Sequence, residues 1–387
     1  MISLRQNKLL QIYFMLFFGF SMFAGCQTTR AVRPFSAGSE VKPLTDDESR
    51  LWMQGNKFDE TILNMDQLYK DAVLQSYLQE IMDLLYPEFK GNIHVLVLKS
   101  PILNAFALPH GSIYIHLGIL GRFDNEAQVA SVLAHEGAHF VQKHALKQRL
   151  KLKSTAAFAT FMKMAGIPLV DVLAFSSIYG YSRDLEREAD EIGYQRLKQA
   201  GYDTRESVKA FMHLKAEVEA LEIEEPFFFS SHPKLQERIE NFTKFNRDQT
   251  YRRGRIGEQE YLEKTSQLRL ACLREDLSIG RYKNLIFVLS DTERLKHYPP
   301  DAYFYQGEAY RLRDEKGDQD LSVHAYIKCI EKLPYFAPPY RALGLHYMKK
   351  DDSQQALYYL SKYLQIEPDA EDKDYIRQYI RQIQKEQ

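Results

Sequence analysis

The sequence predicts a mainly α-helical chain in which helices enclose one small β-sheet and a purely helical region follows. Three observations carry this reading. Apolar residues recur at helical spacing, as in Leu68, Ala72, Leu78, Ile81 and Leu85. Strand-like alternation is confined to residues 92–117. Residues 337–370 match the tetratricopeptide period of about 34 residues.

Composition narrows the function class. The 387 residues carry 51 Lys+Arg against 52 Asp+Glu. With no basic excess to neutralise phosphates, a nucleic-acid partner is not expected. Hydrophobic residues at 45% and charged residues at 27% fit folded domains rather than disorder. The length suits two or three domains. Three cysteines are too few for a disulfide scaffold or a four-cysteine zinc ribbon.

The first element is a targeting signal. Arg5 and Lys8 precede an apolar stretch over residues 9–24, which ends in Phe23-Ala24-Gly25-Cys26. Small residues before a cysteine resemble the lipobox of bacterial lipoproteins, with Phe23 where Leu is usual. The expectation is a signal peptide over 1–25, a lipid on Cys26 and a tether over 26–44. Gln27 rather than Asp after the cysteine implies the periplasmic side of the outer membrane. A plain cleaved signal or an uncleaved anchor are the alternatives. Residues 154–182 are also apolar, but Lys163, Pro168 and Asp171 interrupt them, and a span needs about 20 mostly apolar residues. Two short buried helices are expected there, with a lid or membrane-surface helix as the alternative.

The folded part is expected to begin at Thr45-Asp46-Asp47-Glu48, a capping box that opens a helix. A second helix covers 67–86. Strands follow at 92–99, 104–108 and 112–117, the last two joined through Pro109-His110-Gly111. A long helix is expected from about Asn125 to Lys153. Ser182 caps another that stops at Gly201, and a third runs from Thr204 to about Leu221. Ser231-His232-Pro233 leads into one more. These elements make a first domain over 45–247.

Residues 250–387 read only as helices. Tyr340, Leu343, Gly344 and Tyr347 fit the first helix of a tetratricopeptide repeat. Ala356, Leu360, Tyr363 and Pro368 fit its second helix and terminator. Gly307, Tyr310, Tyr326 and Pro334 mark a looser unit before it, with extra residues around 314–320. Residues 257–298 have room for degenerate pairs. Small and aromatic residues at these places let helices pack closely, and stacked repeats present a concave binding face. A plain helical bundle is the alternative.

His135-Glu136-Gly137-Ala138-His139 matches H-E-x-x-H within the long predicted helix. Two histidines four apart lie about one turn apart on one face, so both can reach one zinc. Glu136 projects about 100° round the helix, where it can hold an attacking water without ligating the metal. Catalytic zinc takes three protein ligands. Gln142 and Ala145 stand where the long metzincin motif has its glycine and third histidine, so the third ligand comes from elsewhere. Glu186 and Asp190, four apart on the Ser182-capped helix, are the best candidates. Glu186 can complete a site for one zinc per chain, while Asp190 bonds a ligand histidine.

H-E-x-x-H followed by S-R-x-x-E-x-x-A-D, from Ser182 to Asp190, resembles the CAAX prenyl protease/HtpX family of zinc metallopeptidases. More specifically it is similar to that family's soluble or lipid-anchored periplasmic branch. Asn104-Ala105-Phe106-Ala107 with Pro109, His144, and Ser231-His232-Pro233 with Arg238 are further matching pieces. His110 departs from the pattern, standing where the family has the first of two glycines. The resemblance implies a gluzincin-type zinc metallopeptidase domain followed by an α-helical tetratricopeptide-repeat domain. It implies that His135, His139 and Glu186 bind zinc and that Glu136 is the general base. Asp190 matches an acid sometimes assigned as proton donor; support of a ligand histidine is the reading favoured here.

His232 keeps three readings open: a conditional fourth ligand that closes the zinc site, a donor to the oxyanion, or a surface histidine beside a proline. His144 is expected to support the site or sit in the core. The strand near 112–117 is expected to pair with an extended substrate. Cys272 and Cys329 either form a disulfide in an oxidising periplasm or stay free. The expected function is a zinc endopeptidase degrading misfolded or stalled outer-membrane and periplasmic proteins. Its repeats would dock unfolded clients or the outer-membrane assembly machinery. A chaperone or adaptor with little proteolysis is the competing expectation.

Overall fold

Thr45 Oγ1 accepts from the Glu48 amide at 3.3 Å, and Glu48 Oε2 accepts from the Leu44 amide at 2.7 Å. This reciprocal cap starts α1 (Asp46–Asn64) where the sequence places it. The computed structural model describes residues 32–153, 181–221, 235–247 and 253–386. The signal segment with Cys26, residues 154–180 and His232 lie outside the described residues.

Asp71 caps α2 (Ala72–Leu85), which buries Leu74, Leu78, Ile81 and Leu85 on one face. Three strands follow: β1 (His94–Leu98), β2 (Ala105–Ala107) and β3 (Ser112–His116). Their order is β1-β3-β2. β3 runs parallel to β1, with His94 opposite Ser112, and antiparallel to β2, with Phe106 opposite Tyr114.

This order corrects the expectation that the strand near 112–117 pairs with substrate. β3 is the central strand, so both of its edges are already bonded. On this side the sheet ends at β2, whose far edge faces away from β3. The His116 amide donates to Asn104 O at 3.0 Å and the Leu108 amide donates to Ser112 O at 2.7 Å. Bonded pairs alternate along an antiparallel ladder, so the N–H and C=O groups of Ala105 and Ala107 point away from β3.

Helix α1 covers the outer face of the sheet. Phe58 packs edge-on against Phe106 and Tyr114, with ring centroids 5.8 and 5.5 Å away. Asp59 accepts from Tyr114 at 2.7 Å and from Ser112 at 2.8 Å, and His110 Nε2 lies 2.8 Å from it. His110, the departure from the family pattern, is thus bonded to α1. The inner face, with Ala105, Ile113 and Ile115, packs in the main core.

After α3 (Leu117–Arg122) comes α4 (Glu126–Val141), capped by Asn125, with every residue buried. The helix expected to run on to Lys153 breaks here. Lys143 adopts φ +54°, and α5 (His144–Lys153) starts in a new direction. The Lys143 ammonium is held 2.6 Å from Glu48 Oε1 and over the Phe35 ring. That buried pairing with a residue far back in the chain outweighs helix continuity. With no Gly or Pro nearby, local sequence does not announce it.

Helices α6 (Arg183–Gln199), α7 (Arg205–Ala220) and α8 (Leu235–Arg247) complete the surroundings of α4. α6 lies against α4, and the small residues Ala189 and Gly193 are buried at that contact.

The remaining helices are α9 (Glu258–Ser278), α10 (Tyr282–Ser290), α11 (Thr292–Leu295), α12 (Ala302–Arg313), α13 (Asp318–Lys332), α14 (Pro338–Lys349), α15 (Ser353–Ile366) and α16 (Lys373–Glu386). The boundary expected near residue 250 does not divide the packing. Tyr261, Leu268 and Cys272 of α9 belong to the main core. Tyr261 donates to Leu120 O at 2.7 Å, Tyr298 to Gly121 O at 2.9 Å, and Arg269 to both Gly121 O and Phe123 O. The buried Arg122 guanidinium bonds Glu217 at 3.1 Å and Asp276 at 3.0 Å.

α12 packs on α13 and α14 on α15. In each pair a glycine permits the approach. A Cβ on Gly307 would meet the Tyr326 ring at 2.5 Å, and one on Gly344 would meet Leu360 at 2.5 Å. These are corresponding positions in the two units read from sequence. Cys272 and Cys329 are both buried free thiols, so the disulfide does not form; burial pushes each up to about 12. Among the described residues no helix is long and apolar enough to cross a membrane.

Candidate metal centre

Two helices bring the site together. α4 supplies His135, Glu136 and His139, and α6 supplies Glu186 and Asp190; all five are buried. The Nε2 atoms of His135 and His139 lie 2.9 Å apart. Glu186 reaches in with Oε2 at 3.3 Å from His135 Nε2 and Oε1 at 3.6 Å from His139 Nε2. One atom from each residue falls within 4.8 Å of the other two. A tetrahedral zinc with bonds of about 2.0–2.1 Å holds its ligands about 3.3 Å apart, so the spacing and the N, N, O donor set fit zinc.

The far nitrogen of each imidazole is occupied in a way that suits a ligand. His135 Nδ1 lies 2.9 Å from Asp190 Oδ1, which turns the Nδ1–H outward and the Nε2 lone pair inward. His139 Nδ1 lies 2.7 Å from His144 Nδ1, and His144 Nε2 lies 3.3 Å from Glu188 Oε2. A neutral His144 with its proton on Nε2, the nitrogen facing Glu188, accepts from His139 through Nδ1, leaving the His139 Nε2 lone pair for the metal. Burial pushes His144 down to about 3, helped by Lys147 and His135, so it is neutral at physiological pH.

Electrostatics separate Glu186 from Asp190. Burial raises Glu186 above the usual carboxylate range, against the pull of His135 and Arg238. Burial also opposes ionisation of Asp190. The Arg238 guanidinium, together with His135, nevertheless holds that carboxyl below its ordinary value. Arg238 Nε and Nη2 donate to Asp190 Oδ1 at 3.0 and 2.7 Å, and the guanidinium sits over the Phe211 ring.

Of the residues that sequence proposed for the centre, His135, His139, Glu186 and Asp190 meet here, with Glu136 on the same helix as the two histidines. His232 and Cys26 lie outside the described residues. Tyr181 and Glu188 were not singled out from sequence. The Tyr181 ring stacks on His139 with centroids 4.1 Å apart at 18°. Its place just before the Ser182 cap is the only sequence signal for it. His144 returns to His139 because the chain breaks at Lys143; on a continuous helix it would have left that face.

Comparison with known proteins agrees with this geometry. The profile of peptidase family M48 matches residues 69–246. The chain is 38% identical over 113 residues to mitochondrial metalloendopeptidase OMA1 of Arabidopsis thaliana, covering 29% of this chain and 23% of that one. It is 31% identical over 157 residues to OMA1 of Schizosaccharomyces pombe, covering 39% and 45%. It is 25% identical over 241 residues to the beta-barrel assembly-enhancing protease of Yersinia pestis, covering 53% and 49%. The chain thus spans less than half the length of each of these relatives.

Proposed function

We propose that the chain, whose residues 69–246 match the profile of peptidase family M48, is a zinc-dependent endopeptidase of the cell envelope. It hydrolyses peptide bonds of misfolded or stalled outer-membrane and periplasmic proteins. The observation that carries this is the convergence of His135, His139 and Glu186 on one point, with Glu136 beside them on α4.

Bound by those three residues, zinc supplies Lewis acidity that polarises a carbonyl and acidifies water. The chain's own groups do the rest. Glu136 takes the proton from the attacking water and later delivers it to the leaving amine. Asp190 and Arg238 hold the His135 ring, and His144 with Glu188 holds the His139 ring. In this reading Asp190 is a positioning residue, because its carboxylate is engaged by Arg238 and His135. His232 acts as a conditional fourth ligand that closes the site in the resting protein.

Substrate is an extended chain laid along the outer edge of β2, bonded by the outward groups of Ala105 and Ala107. Folded proteins cannot offer such a strand, which accounts for selection of unfolded ones. The helical pairs α12–α13 and α14–α15 are tetratricopeptide repeats that dock clients or the outer-membrane assembly machinery. The glycine contacts at Gly307 and Gly344 support that reading. The relatives named for β-barrel assembly support an envelope role. A lipid on Cys26 tethers the protein to the periplasmic side of the outer membrane.

The second reading, a chaperone or adaptor binding clients through the repeats, rests on how much of the chain is helical pairs. Replacing the chromosomal copy with Glu136→Gln separates the two. Loss of envelope integrity equal to a deletion supports proteolysis, and full retention supports binding alone.

A further inference from the structure

Helix α4 is met at its C-terminal end by residues from the start of the folded chain. The Phe35 amide donates to Val141 O at 2.9 Å. The Phe35 ring packs on Phe140 with centroids 5.1 Å apart, and the Lys143 ammonium lies 4.1 Å from the Phe35 centroid. Glu48 Oε1 holds the same ammonium at 2.6 Å, and both partners are buried. Phe35 and Glu48 precede residue 69, where the match to the family profile begins.

These contacts oppose continuation of the helix. In an unbroken helix Val141 O would accept from the Ala145 amide, four residues on. Phe35 occupies that acceptor instead. Lys143 carries steric strain at φ +54°, and its buried pairing with Glu48 offsets that strain. The break matters to the metal centre. Five residues along an unbroken helix turn through about 500°, which would put His144 about 140° round the axis from His139. His144 Nδ1 lies instead 2.7 Å from His139 Nδ1. A group that bonds the far nitrogen of a ligand histidine orients its ring.

We propose that Glu48 is a positioning residue for the metal centre. It holds the chain break at Lys143, with Phe35 beside it, and the break sets His144 against His139. The proposal rests on the reading of the centre as a zinc site and extends that site to α1, which supplies no ligand. Loss of the Glu48–Lys143 pair lets α4 run on into α5, withdraws His144 from His139 and weakens zinc.

The test measures zinc affinity of the full chain by competition with a chromophoric chelator. Glu48→Gln should bind zinc about 10-fold or more weaker than wild type. Two double variants, Glu48→Gln/Lys143→Gly and Glu48→Gln/Lys143→Ala, leave no buried ammonium unpaired, so neither carries that cost to folding. They differ only at the break, where glycine takes positive φ without strain and alanine favours the helix. Glycine should restore the affinity, and alanine should leave it about 10-fold or more below wild type. With His144→Ala added, the two should bind alike, because the break then has no imidazole to deliver. Wild-type affinity in Glu48→Gln overturns the proposal. So does equal affinity of the two double variants, or a gap between them that persists without His144.

A second readout needs no metal. An unbroken helix would bond the Ala145 amide to Val141 O and slow its hydrogen exchange. In the metal-free chain, Ala145 should exchange more slowly in Glu48→Gln and in the alanine variant than in wild type and the glycine variant. Equal exchange in all four overturns the hold of Glu48 on the break. A wild type that binds no zinc sinks the metal-centre reading instead, and the exchange rates still decide whether Glu48 holds the break.

Discussion

His135 Nδ1 lies 2.9 Å from Asp190 Oδ1, and that same oxygen accepts both bonds from Arg238. The three residues come from α4, α6 and α8, so one carboxylate oxygen ties together the helices that build the metal centre. Carboxylate–histidine pairs of this kind fix the ring tautomer and raise the basicity of the other nitrogen.

Asp190→Asn keeps the shape and removes the charge that polarises His135. Zinc affinity should fall roughly 10–100-fold, read by competition with a chromophoric chelator. An affinity equal to wild type would show that Asp190 does not act through His135.

Arg238→Met should be costlier to the fold. It leaves Asp190 buried without its cation, and breaking a buried pair in this way costs about 3–5 kcal/mol. The sign with pH follows from the lowered Asp190 value. A carboxyl whose folded value lies below its unfolded value of about 3.9 stabilises above that pH and loses the contribution as pH falls through the lowered value. The deficit of Arg238→Met in urea unfolding should therefore be full at pH 7 and shrink in acid. A deficit that does not change with pH would contradict the pairing.

Ala107→Pro tests the β2 edge. The Ala107 amide points away from β3, and an outward N–H on an edge strand is a place where proline is tolerated. The melting temperature should stay within a few degrees of wild type, while kcat/KM on an unfolded protein drops about 10-fold or more through lost strand pairing. Full activity would move the substrate to another surface.

His116 makes the fold acid-sensitive. Burial pushes it down to about 4, and neither ring nitrogen has a hydrogen-bond partner among the described residues. The unfolded chain takes up this proton near pH 6.5 and the folded one refuses it. Stability therefore falls as pH drops from about 6.5 to about 4, by about 3 kcal/mol. His116→Phe should flatten that part of the stability–pH curve. An unchanged slope would assign the acid sensitivity elsewhere.

The spacing of the motifs made the centre legible. His135 and His139 sit one turn apart on a helix announced by its apolar pattern, and Glu186 and Asp190 share a face by the same periodicity. Long-range pairings were not legible. The break at Lys143 depends on Glu48 and Phe35, far back in the chain, and it brings His144 back to His139. The order β1-β3-β2 depends on a parallel crossover that alternation cannot reveal, so sequence picked the wrong strand as the free edge. The union of α9 with the main core depends on Tyr261 and Arg269 bonding carbonyls of α3, and a helical pattern does not name its partner. Tyr181 has no spacing relation to His139, so its stacking emerges only in three dimensions.

The most direct test is the rate at which the zinc-loaded full chain hydrolyses an unfolded β-barrel protein, beside Glu136→Gln with matched zinc content. The account predicts turnover in the wild type and a fall of about 10²–10⁴-fold in the variant, with zinc still bound one per chain. Equal turnover in both, or none in either and none in His232→Ala despite bound zinc, would contradict it.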